Sequence, residues 1–115
     1  MPLIVVNRGS KVSDGLFRDL IDALPELVAS ALTCENPDGK LTAADVELWS
    51  RQRDDVHDRG FKDLQIVVFA NDYPERRVNL DERQKMLKDS IRELLPSGVH
   101  GWLWVRLAPS SFAEF

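Results

Sequence analysis

Pro2 is the residue whose placement bears most directly on chemistry. It follows Met1, and a small second residue is the usual condition for removal of an initiator Met. Removal exposes a secondary amine at the head of the apolar run Leu3-Ile4-Val5-Val6. An ordinary chain-terminal amine titrates near about 7.7–8.0, and burial among apolar groups or beside cations disfavours its charged form. Arginines form the second class of interest. Arg51 and Arg53 are two residues apart, a spacing that turns both to one face of a strand and into one cleft. Arg106 shares such a face with Trp102 and Trp104, Arg8 closes the first apolar run, and Arg76 and Arg77 are adjacent in a polar stretch. A guanidinium can grip a carboxylate through two parallel hydrogen bonds. For any single arginine, a solvated surface position is the commoner fate.

Other reactive types lack the company their chemistry needs. His57 and His100 have no neighbouring Cys or carboxylate pattern of metal-ligand spacing, and Cys34 is the one cysteine, so neither a metal site nor an internal disulfide is expected. Ser110-Ser111 lacks the Gly-x-Ser-x-Gly context of an exposed nucleophile, and no glycine-rich phosphate loop occurs. No cofactor is expected.

At 115 residues, the length suits one domain spanning residues 1–115. Apolar residues make up 43% and charged residues 30%, a globular balance that excludes a disordered tail or a fibre. Lys+Arg total 15 against Asp+Glu 19, a formal charge of −4, which gives no basic footprint for general nucleic-acid binding. The opening run is too short and lacks the basic leader of a signal peptide, and no stretch approaches the roughly 18 apolar residues of a membrane span. A cytoplasmic location is the expectation, consistent with the single thiol.

The elements that must position these residues follow from periodicity. Leu3 to Val6 reads as a short buried strand. Ser13-Asp14 offers an N-cap to an amphipathic helix carrying Leu16, Phe17, Leu20, Leu24, Val28 and Leu32 on one stripe, kinked or divided at Leu24 by Pro25. Asn36-Pro37-Asp38-Gly39 makes a turn. Asp45 to Arg53 alternates as a second strand, with Val46, Leu48 and Ser50 on one face and Glu47, Trp49, Arg51 and Arg53 on the other. After a polar connection that begins with the turn Asp54-Asp55, Leu64 to Ala70 reads as a third strand. The connection is too short for a helical crossover, so strands two and three are expected to pair as a hairpin or as antiparallel neighbours. Asn79 with Glu82 resembles a capping box ahead of a helix through Leu87, Ile91 and Leu94, and Gly101 to Leu107 alternates into a last strand. The order β-α-β-β-α-β predicts an α/β (α+β) fold in which two β-α-β units form a four-stranded mixed sheet with both helices on one face. The other face, carrying Trp49 or its strand neighbours, calls for a partner, and self-association is the expected outcome.

Pro2 directly before Leu3-Ile4-Val5-Val6, within this element order, resembles the amino-terminal-proline tautomerase superfamily over nearly the whole chain. The likeness is to its 5-carboxymethyl-2-hydroxymuconate isomerase branch. The counterpart segments are Val46-Glu47-Leu48-Trp49, His57-Asp58, Leu64-Gln65-Ile66-Val67 and Glu75 to Gln84. The branch's Gly-Arg-Ser turn is replaced by a longer loop from Asn71 to Arg77, and the C-terminal tail is shorter.

The resemblance implies a cofactor-independent isomerase acting on a small unsaturated keto or enol acid. Pro2, freed of Met1, would be the general base, moving a proton from the carbon alpha to a carbonyl to another carbon through a dienolate. It further implies that one arginine faces the developing oxyanion and another the substrate carboxylate. Arg51, Arg53, Arg76, Arg77 and Arg106 are the candidates, with Arg76 or Arg77 nearest the superfamily's loop arginine. A homotrimer is also implied. The competing expectations are a noncatalytic ferredoxin-like oligomeric binding subunit in which Pro2 is incidental, and a dehalogenase, hydratase or decarboxylase of the same superfamily with a protonated Pro2 as acid.

Overall fold

The computed structural model describes residues 1–54, 56–60, 63–111 and 113–115, so Asp55 of the expected turn lies outside the described residues. Strand β1 (Leu3–Arg8) is followed by helix α1 (Asp14–Leu32), strand β2 (Glu47–Gln52), strand β3 (Leu64–Asn71), the short helix α2 (Pro74–Arg77), helix α3 (Leu80–Leu94) and strand β4 (Gly101–Ala108). Single 3₁₀ turns at Pro37–Gly39 and Ala43–Asp45 punctuate the long α1–β2 connection.

The sheet runs β2-β1-β3-β4. β1 is parallel to β2 and β3 is parallel to β4, while the two halves meet antiparallel through β1 and β3. The expected α+β sheet is therefore present. The expected contact between β2 and β3 is not, because β1 lies between them. β1 and β3 carry apolar side chains on both faces, as inner strands must, whereas β2 and β4 alternate in the manner of edge strands. A ferredoxin-like split unit would place a strand between the parallel partners. Here Leu3 is directly opposite Glu47, so that fold is excluded.

Ile4 and Val6 of β1 and Leu64, Ile66 and Val68 of β3 are buried on one face beneath Leu20, Leu24, Val28 and Leu32 of α1 and Leu87 and Ile91 of α3. Both long helices thus cover the same side of the sheet. Ser13 caps α1 as expected, its Oγ accepting from the Leu16 amide at 3.3 Å. The helix runs unbroken through Pro25. The capping box expected at α3 does not form: Asn79 precedes the helix, but its Oδ1 accepts from Arg83 Nε at 2.7 Å and makes no side-chain cap.

The uncovered face is read from the register. Trp49, Val5, Val67 and Trp104 form one row across all four strands, with Glu47, Leu3, Phe69 and Arg106 in the row nearer Pro2. Trp49 and Trp104 remain 56% and 57% exposed. No helix among the described residues is long and apolar enough to cross a membrane.

Candidate active site

Pro2 is buried just ahead of β1, and its carbonyl accepts from the Glu47 amide at 3.0 Å. The residue is thus held at the seam between the two parallel strands of the first half. Met1 projects outward, 57% exposed.

Because β3 runs against β1, its C-terminal end comes to the Pro2 end of the sheet. Phe69 sits opposite Leu3, and Asn71 lies beyond it. β4 reaches the same end, where Asn71 is opposite Ala108 and the Asp72 amide donates to the Ala108 carbonyl at 3.1 Å. The Ser110 hydroxyl donates to Asn71 Oδ1. Phe69, Asn71 and Ser110 are therefore among the polar and aromatic groups at the Pro2 end of the sheet. None stands out in the sequence, where Asn71 reads only as a strand breaker.

The five candidate arginines separate into three groups. Arg106 belongs to the Pro2 end, on the uncovered face of β4, with its guanidinium 6.0 Å from the Phe69 ring centre. It lies two strands from Leu3, about 10 Å at ordinary strand spacing. Arg77 is at that end too, in the last turn of α2, and is exposed and ion-paired to Asp72 at 2.9 Å.

Arg51 and Arg53 occupy the far end. Arg51 is opposite Asn7, five residues along β1 from Pro2 and thus about 17 Å away. It donates to Asn7 Oδ1 at 2.9 Å and to Asp58 Oδ2 at 3.0 Å. Arg53 follows β2, and its amide donates to the Arg8 carbonyl at 2.8 Å. The spacing that puts these two side by side does not bring them to the same chain's Pro2. His57 lies in the same far-end loop, its Nδ1 2.8 Å from Asp54 Oδ2, and this contact holds the Asp54 carboxyl below its ordinary value.

Arg76 is absorbed by the fold. It is 2% exposed, and its guanidinium donates to three backbone carbonyls, Leu32 at 2.7 Å, Asn71 at 3.1 Å and Gly39 at 3.2 Å, with the Tyr73 ring 4.9 Å away. Burial pushes its pKa down from the ordinary guanidinium value. Its three partners end α1, the Pro37–Gly39 turn and β3, so Arg76 ties together three segments at the Pro2 end and presents no donor to a cleft. A four-residue helix, too short to show periodicity, aims it inward.

Neither of two cavities among the described residues is lined by Pro2. One of about 470 Å³ lies between α3 and β4, and one of about 280 Å³ is lined by Arg8, Phe17 and Ile21. No group of three or more His, Cys, Asp or Glu suited to a metal ion occurs among the described residues.

No family model and no curated protein matches the sequence. Solved structures do match the fold. A fused wild-type 4-OT symmetric trimer aligns over 93% of this chain and 85% of its own at 15% identity and a TM-score of 0.62. The FG41 malonate semialdehyde decarboxylase inhibited by 3-bromopropiolate aligns over 97% and 89% at 13% identity and a TM-score of 0.58. N1, a member of the cis-3-chloroacrylic acid dehalogenase family, aligns over 98% and 80% at 12% identity and a TM-score of 0.59. All three are tautomerase superfamily members, and at these identities the likeness is one of fold.

Proposed function

We propose that the chain is a cofactor-independent tautomerase whose general base is the amine of Pro2 after Met1 is removed. The observation that carries the reading is the burial of Pro2 at the β1–β2 seam, at the head of a sheet with the tautomerase strand order. The lone pair of a neutral Pro2 nitrogen takes a proton from the carbon alpha to the substrate carbonyl. The C–H electrons become a C=C bond, and the carbonyl oxygen carries the negative charge of a dienolate. Return of the proton from the prolinium to a different carbon restores the carbonyl and completes the isomerisation. The substrate class is a small unsaturated keto or enol acid, as the 5-carboxymethyl-2-hydroxymuconate isomerase likeness implies.

Arg106 is the cation we assign to the developing oxyanion, and Arg77, at the same end of the sheet, is the one we assign to the substrate carboxylate. Arg51 and Arg53 serve a pocket only across a subunit boundary, where the far end of one sheet meets the Pro2 end of another copy. Self-association into a homotrimer is the assembly we infer. The row Trp49, Val5, Val67 and Trp104 gives each copy a broad apolar face to bury, and a fused 4-OT of the same fold is a trimer.

A second reading has support of its own, since a decarboxylase and a member of a dehalogenase family share the fold. In those reactions a protonated Pro2 would act as acid. The pH dependence separates the two, because activity rising with pH through the Pro2 pKa marks a base and activity falling marks an acid. Both readings require the free amine. Intact mass of the untagged protein should show Met1 missing, and retention of Met1 overturns both.

A further inference from the structure

We propose that the cleft between α3 and β4 is a second binding site, for a medium-chain fatty acid carboxylate. The cleft encloses about 470 Å³, a volume suited to a small-molecule site. It arises because α3 covers β4 only in part. Leu87 and Ile91 are the buried residues of that helix, and Leu103 beneath it stays half-buried. Gly101 begins β4 in close contact with β3, and a Cβ there would come within 2.5 Å of the Leu64 carbonyl oxygen.

The walls favour an acyl chain. Leu64, Ile66 and Leu103 from the sheet face Ile91 and Leu95 from the helix side. The helix-side lining extends from Gln84 to Leu95, about 16 Å at 1.5 Å per residue, an elongated shape that fits a linear tail better than a compact ring.

The charge at the rim favours an anion. Lys88 and Arg92 line the cleft, and no Asp or Glu does among the described residues. In a chain of formal charge −4, this is a local reversal of sign. Arg92 donates to the neutral carbonyls of Val99 at 2.8 Å, Leu95 and Pro96, and among the described residues it has no carboxylate partner. The nearby Asp89 is paired to Lys85 at 2.6 Å, which leaves the exposed Lys88 to meet a ligand carboxylate.

The cleft borders the Leu64 and Gly101 end of the sheet. Leu64 pairs with Arg8, six residues from Pro2, so this site is separate from the one proposed for proton transfer. The test is an amide NMR titration of the full chain with decanoate, with 1-decanol as the uncharged control. Saturable decanoate binding with shifts centred on Ile91, Leu95, Gly101 and Leu103 is expected. Lys88→Glu, an exposed change that should leave the circular dichroism spectrum intact, should weaken binding about tenfold, the loss of roughly one charge-assisted contact. Pro2→Ala should bind decanoate as the wild type does, whatever becomes of catalysis. Failure to saturate, shifts centred on Val5 and Trp49, decanol binding as tightly as decanoate, or a folded Lys88→Glu variant with unchanged affinity would each overturn the assignment.

Discussion

The Glu47 amide donates to the carbonyl of Pro2 at 3.0 Å, joining the second residue of the chain to the start of the neighbouring parallel strand. This bond restrains Pro2 from its carboxyl side. It involves no atom of Met1.

Arg76 should behave as a structural residue. Arg76→Ala leaves the Leu32, Gly39 and Asn71 carbonyls without their donor in a buried setting, and about 3 kcal/mol or more of stability should be lost in urea denaturation. Arg76→Lys should recover only part of it, since an ammonium cannot reproduce the planar fork. A substrate-binding arginine would instead change KM and leave the unfolding midpoint alone.

The uncovered face should govern assembly. Trp104 is 57% exposed in the single chain, so Trp104→Glu should fold normally while its charge opposes burial of the row it shares with Val67, Val5 and Trp49. Sedimentation velocity should show a trimer for the wild type and a monomer for the variant. An unchanged trimer would move the interface elsewhere.

Two glycines should respond in opposite directions. Gly101→Ala drives a Cβ to 2.5 Å from the Leu64 carbonyl oxygen, backbone that cannot rotate aside, and should destabilise by about 1–3 kcal/mol. Gly15, in the first turn of α1, has open space around it, and Gly15→Ala should stabilise by roughly 0.5 kcal/mol through helix propensity. Thermal denaturation of both variants measures the contrast.

The Asp54–His57 contact sets a pH dependence at the far end of the sheet. The His57 ring first, then the Val56 amide, lowers the Asp54 carboxyl pKa. A carboxyl depressed in the native state contributes stability above its unfolded pKa, and loses it as pH falls through the native value. That window lies on the acid side of about pH 4. His57→Ala should move the Asp54 carboxyl upward toward its ordinary value in a carbon-detected NMR titration, and no movement would remove the ring as the main cause.

Much of the architecture is legible in the residues. Periodicity gives the order of strands and long helices, and Ser13 marks the start of α1. Strand order is harder, because the polar link from β2 to β3 is too short for a helical crossover and nothing local says that β1 separates them. The signal is present in β1 itself, where Leu3 and Val5 are apolar opposite the buried Ile4 and Val6, the mark of an inner strand. The candidate site is less legible. Arg76 and Arg77 are neighbours of one type, yet one is sealed among carbonyls and the other paired at the surface. Arg51 and Arg53 read as partners for Pro2 until the parallel pairing of β1 with β2 places them at the opposite end. Those distinctions reside in tertiary contacts that spacing alone does not encode.

The central claim is that the Pro2 amine moves the proton, and ketonisation of a simple enol acid by wild type and Pro2→Ala tests it most directly. Both proteins should be confirmed by mass to lack Met1 and by circular dichroism to share a fold. The account expects the wild-type rate to rise with pH through a pKa near or below neutrality, and the variant to fall by about a hundredfold or more, the scale of a lost general base. Equal rates in the two proteins would contradict it.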